Sequence, residues 1–249
     1  MPNHALLNNV DHKHLRVITA RGAAYGDAVM SALTFPAEFR ELQAHYPIVF
    51  AKSEDGTSFD ALALFGFQQG ENLFLDERDG AARWDAPTIP LSVERQPFLI
   101  GRGGEELSIH IDMDHPRVAR DGVGAGEGAH ESEALFLTYG GTSEYLERIA
   151  SVLRTLHDGL DAARGFTAVL LELELLESFV LDVELDDGSQ NRLGGFYTIH
   201  EERLLSLSGE QLERLNRAGY LQAIYMAVAS LSQFRGLIDR KNRAHAHAR

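Results

Sequence analysis

Around position 110 the chain alternates in character, and the polar residues are of the kinds that bind metals. His110, Asp112 and Asp114 occupy every second position, with Ile109, Ile111 and Met113 between them. In a strand successive side chains point to opposite faces, so the imidazole and both carboxylates share one side. About three such donors suffice for a divalent ion, as in zinc sites or the non-haem iron of an oxygenase. The plainer reading is the wet face of a half-buried strand, with Asp112 paired to Arg117 at its end.

A second group follows at His200-Glu201-Glu202-Arg203-Leu204. It opens like a zinc-protease HExxH motif, but leucine stands at 204 where the second histidine belongs, so the zinc geometry fails. Glu202 and Arg203 then read as an ion pair at a helix entry. With Tyr197 they are the polar residues expected to share a ligand pocket, and Arg117 is a further ligand-binding candidate. Trp84, the sole tryptophan, reads as a core anchor or a lid over one end of a sheet. Its alternative role is a stacking surface for a ligand. There is no GxSxG elbow and no P-loop, and Gly122, Gly124, Gly126 and Gly128 do not have the GxGxxG spacing. His12, His14, His245 and His247 lie near the termini and read as frayed tails.

These residues need elements to hold them. Phe179–Leu185 alternates apolar and acidic, and Asp187-Gly188 supplies a tight turn before Arg192–Ile199 returns. A hairpin is expected there. Ser208 and Gln211 have capping-box spacing, which starts a short helix running to about Arg217. From Ala218, Leu221, Ile224, Tyr225, Val228, Leu231 and Ile238 form one face of a long helix ending near Lys241-Asn242. Ala218–Phe234 carries no charge, yet Gln222, Ser230, Ser232 and Gln233 interrupt it. A helix buried on a sheet fits better than a membrane span, which needs about 20 predominantly apolar residues.

Upstream, Thr142 or Ser143 caps a helix with the stripe Leu146, Ile149, Val152, Leu153 and Leu156. Gly159 and Gly165 are expected to break it before a further helix over 166–176. Strands are expected over 15–19, 48–51, 98–101 and 107–113, with a hairpin formed by 59–67 and 72–75. Helical segments are expected over 36–45 and 89–95. The resulting picture is one α+β domain spanning 1–249. Its mostly antiparallel first half covers 15–119, a Gly-rich loop 120–132, and a helix-rich second half 142–242.

Composition bounds the function. The 249 residues carry a formal charge of −14, with 37 acidic against 23 Lys and Arg. That argues against a general nucleic-acid binder, which needs clustered cations. With no cysteine in the chain, disulfides, thiolate nucleophiles and zinc–thiolate sites are excluded. The N-terminal residues lack the pattern of a Sec signal peptide, so a cytoplasmic location is expected.

The run LGGFYTIHEERLLSLSGEQLERLNRAGYLQAIYMAVASLSQFRGLIDRKN resembles the closing signature of the SapC family. YPIVFAK, ALFGFQQGENLFLD, IPLSVERQPFLIG, IDMDHPRV and ALFLTYGGTSEYLE resemble its earlier blocks in order. The family takes its name from gene clusters for bacterial surface layers, and some members carry a peptide-transporter permease label. It brings no established catalytic residues. The resemblance implies a binding or accessory protein with a protein or small-molecule partner and no cofactor. Its expected surface lies where the hairpin meets the last helix. The alternatives are a metal-dependent enzyme using His110, Asp112 and Asp114, and a surface-layer assembly protein.

Overall fold

The structure, a computed structural model, describes residues 3–53, 55–76, 82–103, 106–119 and 131–247. A turn that the sequence places at Glu77-Arg78-Asp79-Gly80 lies outside these residues, as does most of the Gly-rich stretch. The fold is α+β, and its paired strands are all antiparallel. The strands are β1 (His4–Leu6), β2 (Arg16–Ile18), β3 (Ser31–Thr34), β4 (Ile48–Lys52), β5 (Phe59–Leu64), β6 (Leu75–Asp76), β7 (Arg83–Trp84), β8 (Phe98–Gly103), β9 (Glu106–Asp112), β10 (Val118–Ala119), β11 (Ser132–Ala134), β12 (Leu176–Glu184) and β13 (Gln190–Ile199). The helices are α1 (Phe39–Leu42), α2 (Leu91–Glu94), α3 (Glu144–Glu172), α4 (Glu201–Leu205), α5 (Gly209–Arg217), α6 (Tyr220–Ser230) and α7 (Gln233–His247). Among the described residues no helix is long and apolar enough to cross a membrane.

The chain divides into two compact units, each built from separated segments. The first comprises residues 1–28, 75–85 and 91–157. Its sheets run β1-β9-β8, β10-β2-β11 and β6-β7. Leu146, Ile149 and Leu153 from the predicted stripe of α3 join Leu15, Val17, Phe98, Ile111 and Leu135 in one core. Ser143 caps α3 by accepting the Leu146 N–H at 3.2 Å. The N-terminal segment is tied down, with β1 paired to β9. His12 is buried and accepts the Asn8 N–H at 3.2 Å, so it is no frayed tail.

The second unit comprises residues 29–74, 86–90 and 158–249. Its five-stranded sheet runs β12-β13-β4-β5-β3. The predicted hairpin forms β12 and β13, with Gly188 at the turn in the left-handed region. Midway the register passes from Phe179↔Phe196 to Leu181↔Leu193, and Gly195 at φ 85° takes up the bulge. Phe39, Phe50 and Phe166 meet edge-on or tilted in the core, with Tyr46, Phe65 and Phe74 in a second aromatic group.

Several expectations are corrected. First, α3 passes unbroken through Gly159 and Gly165, because both glycines allow close approach. A Cβ on Gly159 would lie 2.3 Å from the Phe35 ring, and one on Gly165 2.9 Å from the Tyr220 hydroxyl. Second, the long C-terminal helix is two helices, α6 and α7. Ser230 Oγ donates to the Ala227 carbonyl, and Leu231 N–H turns to Val228 instead. Ser230 Oγ also accepts the Ile48 N–H at 2.8 Å, which seats the end of α6 on β4.

Third, 59–67 and 72–75 do not pair as a hairpin. β5 pairs with β3 and β4, while β6 pairs with β7. The Glu71 carboxylate turns inward to accept the Phe67 N–H and to meet Lys241, so the chain wraps around it. Fourth, Arg117 pairs not with Asp112 but with Asp27, at 2.7 Å. The helix expected over 36–45 is also reduced to α1.

Candidate functional site

The site is a groove of about 370 Å³ in the second unit. Three segments build it. The first is the approach to α1, where Phe35 is fully buried and Pro36, Ala37 and Arg40 line the wall. The second is α3, whose Gly159 and Ala162 present almost no side chain. The third is the start of α6, from Ala218 to Met226. The Gly159–Phe35 contact explains why a helical glycine persists there, since any larger residue would push the wall outward.

The chain turns sharply from α5 into α6 at Gly219, which stands at φ 75° as the N-cap. Glycine alone takes that conformation without strain, and it leaves α6 with no side-chain cap. The first amide N–H groups of an α-helix have no partner within it, and they carry the positive end of its dipole. Arg40 adds a full charge to the lining and makes no ion pair among the described residues. The Tyr220 ring is fixed edge-on to Phe166 at 5.3 Å, and Gln222 supplies an amide. Phe35, Met226 and the alanines make the remaining walls apolar. The arrangement suits an anionic head with an apolar body. The lining contains no carboxylate or imidazole, the groups that most often move protons in general acid–base catalysis.

The residues singled out from the sequence lie elsewhere. Tyr197 stands opposite Phe50 on β13, packs edge-on against Phe59 at 4.8 Å, and has the Lys52 ammonium 5.7 Å from its ring. Arg203 donates to the Leu173 carbonyl at 3.1 Å, and His200 caps α4 by accepting the Arg203 N–H. Glu202 is exposed and makes no ion pair with Arg203 among the described residues. Among the described residues no hydrogen bond, ion pair or ring contact joins Tyr197 to Glu202 or Arg203. The hairpin does meet the last helix. Phe179 stacks on Phe234 at 5.3 Å, Asn242 Oδ1 accepts the Asp186 N–H, and His245 lies 3.6 Å from Asp187.

Trp84 is buried on β7 opposite Leu75, which fits an anchor. Arg117 is also buried, donating to Asp27 and to the carbonyls of Ile18 and Ala20. The metal-type residues do not converge. His110 lies against Gly101 of the neighbouring strand. Asp112 accepts the Asp114 N–H, while Asp114 accepts from Asn3. Asp114 lies beyond the end of β9, so the alternation no longer governs its direction. Among the described residues no group of three or more His, Cys, Asp or Glu could hold a metal ion.

Sequence reading missed Arg40, Gly159 and Gly219 as site residues. The only signal was a glycine inside an otherwise helical apolar stripe, and that signal also fits a break. A family model described as SapC matches residues 7–237. No curated protein and no solved structure matches the chain.

Proposed function

The chain belongs to the SapC family, and from that footing we propose that it is a binding protein for a small organic acid with an apolar body. The observation that carries this reading is the groove itself, where Arg40 and the uncapped start of α6 stand beside apolar walls. A carboxylate is the head group such donors favour. The walls of Phe35, Ala37, Ala162 and Met226 take the hydrocarbon, in the usual pattern of a mostly apolar pocket with few polar groups.

Isothermal titration with octanoate and with 1-octanol tests the reading. Octanoate binds and the alcohol binds far more weakly. Arg40→Ala lowers octanoate affinity about tenfold or more, as loss of a charge-assisted hydrogen bond predicts. Ala162→Phe fills the groove and abolishes binding. Equal affinities for acid and alcohol, or octanoate binding unchanged in both variants, would remove the proposal.

A further inference from the structure

The groove has a direction, and contacts along α3 set it. At one end the Phe35 ring lies against the bare backbone of Gly159, 2.3 Å from where a Cβ would stand. At the other the Tyr220 hydroxyl lies against Gly165 in the same way, at 2.9 Å. Ala162, midway between the two glycines on α3, belongs to the lining. Positions three apart on a helix are neighbours on its surface. The floor of the groove is therefore a short run of small residues with an aromatic ring at each end.

Phe166 ties the opposite wall to the same axis. It is fully buried and follows Gly165 on α3. Tyr220 meets its ring edge-on at 5.3 Å, and Phe39 meets it edge-on at 6.1 Å. The chain from Phe35 to Phe39 thus runs beside α3 from Gly159 to Phe166. Arg40, the next residue, falls at the Tyr220 end. So does the uncapped start of α6, because Tyr220 is its first residue. Arg40 is the one charged residue among the described lining. The positive groups are gathered at one end, and the Phe35–Gly159 end is apolar.

We infer that the groove takes straight-chain monocarboxylates in one orientation and up to a limited length, with Phe35 as the stop for the tail. This rests on the groove being the acid site proposed above. Six residues of α3 separate the two rings, a span of about 9 Å at the helical rise. An alkyl zigzag of ~1.5 Å bonds advances roughly 1.3 Å per carbon, so about seven carbons fill that span. With the carboxyl carbon at the Arg40 end, octanoate is the length that matches. A longer chain meets the Phe35 ring, which Gly159 backs directly and which cannot turn aside into α3.

The test is isothermal titration of the full chain with the straight-chain acids from butanoate to dodecanoate, at constant pH and ionic strength. Affinity rises about fourfold per added methylene as far as octanoate, the gain from burying one CH₂. From decanoate on it levels off or falls. Phe35→Leu moves this break to longer acids and leaves butanoate and hexanoate unchanged. Arg40→Ala weakens every acid by one common factor and leaves the break in place. Should Phe35→Leu not fold, Phe35→Met, with its unbranched and adaptable side chain, replaces it. An affinity that climbs evenly through dodecanoate overturns the inference. So does a Phe35 variant that leaves the break where it was, or that weakens short and long acids alike. In those cases octanoate still binds through Arg40 and the acid-binding reading stands, whereas failure of every acid to bind removes both.

Discussion

Lys241 and Glu71 stand 170 positions apart, and their side chains are only 5% and 18% exposed. Neither residue invites attention in the sequence, where Lys241 reads as one of several cations ending a helix. Together they form an ion pair around which the chain folds after β5, with the Glu71 carboxylate also accepting the Phe67 N–H at 2.8 Å. Breaking a buried pair from one side leaves a charge without compensation. Lys241→Met should therefore lower the unfolding free energy by about 3 kcal/mol, near the lower end for buried pairs because Glu71 is partly exposed. Adding Glu71→Gln should recover part of the loss. Urea unfolding of the two single variants and the double variant measures the coupling, and strict additivity would mean that the pair does not act as one. Arg117 is the converse case. Its type and position marked it in the sequence, but its partner proved to be Asp27, 90 positions away, and not the neighbouring Asp112.

The elements divide by what specifies them. The capping box at Ser208 and Gln211 forms as its spacing requires, with both reciprocal bonds present. The hairpin turn at Asp187-Gly188 does the same. Glycines inside helices carry no such local instruction. Gly159 and Gly236 both lie within helices, yet one meets the Phe35 ring and the other meets open space. Alanine should raise stability at Gly236 by up to about 1 kcal/mol through helix propensity. At Gly159 the same gain is outweighed, because Phe35 is 1% exposed and cannot yield. A net loss of about 1–2 kcal/mol is expected from overpacking. Thermal unfolding of the two variants gives shifts of opposite sign. A stabilised Gly159→Ala would show that the close approach is not essential, and the wall of the groove would then rest on other contacts.

At the scale of the whole molecule, stability should respond to acid through His115. Its folded pKa lies below the ordinary 6.5, chiefly from burial and then from Arg117, with Asp112 and Asp27 opposing and Arg95 adding to the depression. The unfolded chain therefore binds the proton first. The contribution is fully present above about pH 6.5 and is lost as the pH falls through the folded value. His115→Asn keeps an acceptor for the Arg117 N–H and removes the titration. Its stability should fall less steeply below about pH 6.5 than that of the wild type, and identical pH profiles would assign the acid response to other groups. The sequence alone determined the α+β class, the hairpin, the capped helices and the apolar stripe of α3, because each is written in periodicity and turn chemistry over a few neighbouring residues. Tertiary structure decided that Gly159 and Gly165 are contact points and not breaks, that the last helix divides at Ser230, whose hydroxyl donates to Ala227 and accepts from Ile48, and that Arg40 lines a groove beside the start of α6. Those outcomes depend on residues brought together from distant parts of the chain, and no local pattern encodes which distant residue arrives.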